Sequence, residues 1–127
     1  MGTMEQQFTY DVRMFKDTFE NEFTYINGFM RNVHRFAGRP ALTDPVRERT
    51  WTYAELNGEV NRLSHALLGD GVGKNEVIVY QLLNSAEFVF SYLAPQKIGA
   101  INCPINFKLS PGETAFILDD SKPAVYI

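Results

Sequence analysis

Apolar residues recur along this chain at two spacings, and the change from one to the other marks out its elements. Ile26, Phe29, Met30, Val33 and Phe36 fall at helical spacing. Thr24 can cap that helix, Gly38 can end it, and Pro40 prevents its continuation. Ala41-Leu42-Thr43 and Thr50-Trp51-Thr52 read as short extended pieces. Between them Asp44-Pro45-Val46-Arg47-Glu48 has turn chemistry, which predicts a small β-hairpin near residues 41–52. Thr52-Tyr53-Ala54-Glu55 has the form of a capping box, in which Thr hydroxyl and Glu carboxylate each accept from the other residue's amide. Leu56, Val60, Leu63 and Leu67 then make one apolar stripe, with Glu59, Asn61 and Arg62 elsewhere. That pattern is an amphipathic helix laid on a sheet, ending at Gly69-Asp70-Gly71.

The later part alternates strand and helix. Val77-Ile78-Val79-Tyr80-Gln81-Leu82 reads as a buried strand, and Ser85-Ala86-Glu87-Phe88-Val89-Phe90 opens a helix. That helix has Phe88, Val89, Tyr92 and Leu93 on its buried face and Asn84 with Glu87 as a cap pair. Pro95 would remove a hydrogen bond and collide with the Ser91 carbonyl, which predicts a kink or an early end. Residues 100–106 read as strand and loop. In the next helix Ser110 caps, Pro111 takes the first position and Glu113 completes a second box, with Ala115, Phe116 and Ile117 facing inward. Ala124-Val125-Tyr126-Ile127 begins another strand. The predicted fold class is α/β: a partial parallel sheet with flanking helices.

A parallel sheet needs cover on both faces, and a series that reaches a fresh strand at its last residue has supplied less than it needs. The expectation is the front piece of a larger α/β protein. An open edge and an uncovered apolar face predict self-association of the chain. Residues 1–23 are less regular. Phe8, Tyr10, Val12 and Met14 alternate as a strand would, whereas Val12, Phe15 and Phe19 suit a helix. They predict a weakly ordered or helical N-terminal extension ahead of a body spanning residues 24–127.

At 127 residues the chain is one domain or part of one. Its 12 Lys and Arg are interspersed with 15 Asp and Glu, a pattern that suggests neither a nucleic-acid surface nor an anionic-membrane patch. No apolar run approaches the roughly 18 residues of a transmembrane helix. Met1–Tyr10 has neither the basic start nor the apolar centre of a signal peptide. The single cysteine, Cys103, makes no internal disulfide, and the cytoplasm is the default compartment.

Candidate chemistry is sparse. Gly69-Asp70-Gly71-Val72-Gly73-Lys74 superficially resembles a phosphate loop, but it follows a helix and precedes a strand, the reverse of the functional order. Leu68 stands where the first glycine belongs, and Asn75 follows the lysine in place of Ser or Thr, so the segment reads as a helix C-cap and turn. Cys103 has no local basic partner and reads as a structural thiol. His34 and His65 have no ligand-spaced neighbours, and Asp119-Asp120 reads as a solvated turn. The Phe and Tyr excess suits core packing better than an acyl pocket. No catalytic, cofactor-binding or metal-binding residue follows from the residues themselves.

Two runs carry a family likeness. Thr50-Trp51-Thr52-Tyr53-Ala54-Glu55-Leu56-Asn57 resembles the "(L/W)TY-x-EL" signature of adenylate-forming enzymes, the acyl-CoA synthetases, luciferases and peptide-synthetase adenylation domains. Gln81-Leu82-Leu83-Asn84-Ser85-Ala86-Glu87-Phe88-Val89 resembles that family's "LPNSPEF" region, and residues 97–106, Lys97 to Asn106, its "KAGAVVVPLN" region. Phe107-Lys108-Leu109-Ser110-Pro111-Gly112-Glu113 and Ile117-Leu118-Asp119-Asp120-Ser121 match the following helix, and the Asn-Phe-Lys-Leu-Ser wording is most similar to the fatty acyl-CoA ligase branch. Pro95 and Gln96 depart from the family's small or aliphatic residues.

The resemblance implies a longer enzyme that activates a fatty or other carboxylic acid with Mg-ATP as acyl-adenylate and transfers it to coenzyme A. The family's Pro-Lys-Gly phosphate loop, its adenine and acyl segments, its ribose-binding acid and its C-terminal lysine map onto no position here. This segment would therefore be scaffold, holding no ATP, Mg or CoA by itself, with the remainder of its large domain and a C-terminal domain as partners. A second reading is a stand-alone interaction or dimerisation module that keeps the scaffold without the chemistry. A third, a flavodoxin-like ligand binder, lacks the strand-to-helix glycine loop.

Overall fold

The computed structural model describes residues 11–127; the reading of residues 1–10 lies outside them. In chain order the elements are α1 (Val12–Lys16), a π-helical continuation over Asp17–Glu22, α2 (Tyr25–Phe36), β1 (Pro40–Asp44), β2 (Arg49–Thr52), α3 (Tyr53–Gly69), β3 (Val77–Tyr80), α4 (Ala86–Lys97), β4 (Ile101–Pro104), α5 (Pro111–Ser121) and β5 (Val125–Tyr126). β1 and β2 form the antiparallel hairpin, with Leu42 opposite Trp51 and Asp44 opposite Arg49. The Asp44 carboxylate accepts from the Val46 and Arg47 amides at 2.9 and 3.1 Å, which shapes the turn.

The predicted capping boxes form. Thr52 Oγ1 accepts from the Glu55 amide at 3.2 Å and Glu55 Oε2 accepts from the Thr52 amide at 2.8 Å. Ser110 and Glu113 repeat the arrangement at α5. The Thr52 backbone donor holds the Glu55 carboxyl below the usual carboxylate range, and that of Ser110 does the same for Glu113. α3 ends in a Schellman motif: Val72 N–H reaches Leu67 O and Gly71 N–H reaches Leu68 O, both at 3.0 Å. Gly71 there has φ +83°, which a residue with a Cβ adopts only under strain.

The second sheet is parallel with order β4-β3-β5. Ile78 lies beside Asn102 on one side and Val125 on the other. The crossover from β3 to β4 through α4 and that from β4 to β5 through α5 run in opposite directions across the sheet, so right-handed connections place α4 and α5 on opposite faces. Ile78, Val79 and Tyr80 of the central strand are fully buried, which is why this run carries apolar residues without alternation. The core joins Phe29 and Val33 of α2, Trp51 of β2, Leu56, Val60 and Leu67 of α3, Ile78, and Leu93 of α4.

Three expectations need correction. Ser85, not Asn84, caps α4: its extended backbone lets Oγ accept from the Phe88 amide at 3.3 Å. Glu87 instead meets Arg47 at 2.6 Å, and that hydrogen bond lowers its pKa. α4 also runs on through Pro95 to Lys97. Pro95 sits in the last turn, and its side chain is fully buried. The neighbouring carbonyl of Tyr92 accepts from the Gln96 and Asn102 side-chain amides, both at 2.8 Å. Finally, Ala115 and Phe116 of α5 face outward, Phe116 at 72% exposure, while Ile117 is half-buried. Thr114, Leu118 and Ser121 share the half-buried side with Ile117.

Candidate functional site

In open α/β sheets ligands settle outside the carboxyl ends of strands, where the strand order reverses. Here that place is the end of β3 beside β5. Gln81 follows β3 directly, and its amide N–H donates to Ile127 O at 2.8 Å. Its side chain is held from three sides. Nε2 donates to Asn106 O at 2.9 Å and to Thr114 Oγ1 at 3.3 Å, and Tyr126 Oη donates to Oε1. A groove of about 540 Å³ opens beside this network, lined by Gln81, Phe107, Leu109, Pro111, Thr114, Ala115, Leu118 and Tyr126.

The groove has polar groups, but they are spoken for. Gln81 uses both ends of its amide on neighbours. The α5 N-terminus beside it is filled by the chain's own Glu113 carboxylate, which accepts from the Ser110 amide and hydroxyl at 2.8 and 2.9 Å. An anion arriving there meets a carboxylate already in place. At the start of α4, Ser85 caps the helix and Glu87 lies against Arg47. The Gly69–Lys74 loop offers no cradle either, because its Gly71 and Val72 amides close the α3 end and Gly73 N–H donates to Glu76 at 2.5 Å. These main-chain donors are therefore engaged within the chain itself.

The other sequence candidates are scattered. Cys103 lies half-buried on β4, opposite Val79. His34 and His65 are exposed on α2 and α3, and Asp119 and Asp120 are exposed on α5. Among the described residues no group of His, Cys, Asp and Glu could hold a metal ion. No described helix is long and apolar enough to cross a membrane.

Two polar arrangements escaped sequence reading. The Lys97 ammonium is half-buried and donates to Asn61 Oδ1 at 2.5 Å and to Asn57 Oδ1, tying the end of α4 to α3; burial lowers its pKa. Tyr80 is fully buried with its hydroxyl unpartnered, and burial pushes its pKa up to about 12. The i, i+4 spacing of Asn57 and Asn61 was a usable signal for the first. A tyrosine ending an otherwise aliphatic strand was the signal for the second.

Against known proteins, residues 29–127 match the family model described as AMP-binding enzyme. The chain is 34% identical over 85 residues to a 3-hydroxybenzoate–CoA ligase of Aromatoleum sp. (strain CIB), covering 67% of this chain and 16% of that protein. It is 34% identical over 87 residues to the long-chain-fatty-acid–CoA ligase FadD13 of Mycobacterium tuberculosis (strain ATCC 25618 / H37Rv), covering 68% and 17%. Among solved structures, a Mycobacterium tuberculosis fatty acyl CoA synthetase superposes with TM-score 0.77 at 29% identity, over 83% of this chain and 21% of the other. The chain thus spans about a sixth of the length of these two curated relatives.

Proposed function

The chain belongs to the AMP-binding enzyme family, and from that premise we propose that it is the N-terminal scaffold segment of an ATP-dependent acid–thiol ligase. Residues 24–127 form the front of the large domain, and residues 1–23 form an extension ahead of it. The ligase converts a carboxylic acid to its CoA thioester. The fatty-acid branch is the reading favoured by the Asn106-Phe107-Lys108-Leu109-Ser110 wording. The aromatic-acid ligase is equally similar, at 34% identity, so the acyl class is the finer part of this proposal.

One observation carries the scaffold reading: the helix N-termini that follow strands are occupied by the chain's own caps and carboxylates. The phosphate-binding and acyl-binding groups belong to further sequence. ATP, Mg and CoA are ligands of that longer protein. Alone, the 127-residue chain carries the outer side of α5 into solvent and associates through it.

The test pairs the 127-residue chain with the protein at its full coding length. Isothermal titration of Mg-ATP into the short chain is expected to give no binding heat. The longer protein is expected to exchange pyrophosphate into ATP when a fatty or aromatic carboxylic acid is supplied. Micromolar ATP binding by the short chain overturns the scaffold assignment. A coding sequence that stops at Ile127 favours the interaction-module reading.

A further inference from the structure

Where α2, α3, α4 and β1 meet they leave a groove of about 480 Å³. That lies within the ~300–1,000 Å³ of small-ligand pockets. Phe29, Leu56 and Leu93 are the buried part of its lining. Tyr25, Tyr53 and Tyr92 add three more rings, Tyr25 and Tyr92 standing edge to face with centroids 5.3 Å apart. Flat apolar walls of this kind suit an aromatic ring, which gains stacked and edge-on contacts that an alkyl chain does not. Gly28 lines the groove too, inside α2, where glycine is a poor helix former. Close packing does not require it: a Cβ there would meet only Arg31 Nη2, at 3.7 Å, an ordinary contact. Glycine at this position keeps the groove open.

The charges choose the ligand. Arg31 is the one charged residue of the lining. Its guanidinium lies over the Phe23 ring, 5.7 Å from the centroid. That contact occupies one side of the cation, and among the described residues no hydrogen-bond acceptor or carboxylate meets its N–H groups. The carboxylates of the helices that wall the groove are engaged elsewhere. Glu55 serves the Thr52 cap, Glu59 meets Arg62, and Glu87 meets Arg47. The Lys97 ammonium adds a second positive charge 6.0 Å from the Phe29 ring. A cationic ligand is repelled here and an anion is favoured. Asn32, next to Arg31, also lines the groove, and its side-chain amide has no hydrogen-bond partner among the described residues. It can donate to the same anion.

We infer that the groove between α2, α3 and α4 is a binding site for a small aromatic carboxylate, with the ring against Phe29 and Tyr92 and the carboxylate on Arg31 and the Asn32 amide. The lining holds no group that could activate the acid, so the site binds it without converting it. This inference does not rest on the ligase assignment, and Mg-ATP binding by the short chain would leave it untouched.

Amide NMR titrations of the 127-residue chain with naphthoate and with its uncharged analogue naphthamide test it. Naphthoate is expected to bind saturably at about millimolar concentration or below, moving the Gly28 and Asn32 signals, and naphthamide to bind at least tenfold more weakly. In Arg31→Met the naphthoate affinity is expected to fall at least tenfold while that of naphthamide stays the same, so that the two bind alike. Gly28→Leu puts a side chain into the groove at a position where leucine is the better helix former. It is expected to bind neither probe, with far-UV circular dichroism as in the parent. A parent chain that does not bind naphthoate overturns the proposal, as does one that binds both probes equally or shows its shifts on α5 and β5. An Arg31→Met chain that keeps the preference for naphthoate, or a Gly28→Leu chain that binds like the parent, overturns it as well.

Discussion

Tyr80 shows how one residue can be placed by burial against its own chemistry. Its ring packs edge-on against Phe88 with centroids 5.2 Å apart, while its hydroxyl has no partner. Leaving a hydroxyl dry and unpaired costs about 1–3 kcal/mol, whereas a phenyl ring of the same shape avoids that cost. Tyr80→Phe is therefore expected to leave stability unchanged or raise it, as measured by urea unfolding. The pH dependence gives a second readout. Tyr80 titrates near 12 in the folded chain and near 10 when unfolded, so the unfolded state loses its proton first. Stability is full below pH ~10 and is lost as pH rises from there toward 12; Tyr80→Phe is expected to remove that share of the alkaline loss. A destabilised Tyr80→Phe chain would mean that the hydroxyl has a partner. The burial of residue 80 is legible because a strand of Val77-Ile78-Val79-Tyr80 has no polar alternation, but the fate of one oxygen depends on neighbours far away in the chain.

At the scale of elements, local rules were legible and contacts between elements were not. The Thr52 and Ser110 boxes are complete within four residues each, so their outcome could be read directly. The path of α4 through Pro95 could not, since the packing of α4 against α3 is not written in the sequence of α4 alone. Ser64 is the centre of that packing. Its buried hydroxyl donates to Val60 O at 2.8 Å and to Ala94 O at 3.1 Å, stitching α3 to α4 where both present small groups. Ser64→Ala removes the inter-helix bond and is expected to cost about 1 kcal/mol in thermal or urea unfolding. Ser64→Leu must push the helices apart and is expected to cost more, about 1–3 kcal/mol. Equal tolerance of both would show that the two helices are not held closely here. Helical period alone does not say that α4 crosses α3 at residue 64.

For the whole molecule, the strand and helix series was readable because parallel strands bury both faces and long helices keep their period. The orientation of α5 was misread for a related reason. Its half-buried side is Thr114, Ile117, Leu118 and Ser121, while Phe116, the largest apolar residue on the helix, points away. Tyr126 and Ile101 on the sheet edges are 48% and 47% exposed as well. An inward-facing Phe116 is what the sequence would specify if the other side of α5 also met protein, which is the arrangement proposed for the longer ligase. Phe116→Lys separates the two contexts. In the 127-residue chain the side chain is mostly in water, so stability is expected to change by less than ~0.5 kcal/mol while association through α5 weakens. In the full-length protein the same change would bury a charge and leave a cavity, and a loss of at least about 3 kcal/mol is expected. Chemical unfolding of both forms makes the comparison. Equal, small effects in both would mean that nothing further along the chain covers α5, and the helix would then be an outer surface of the longer protein.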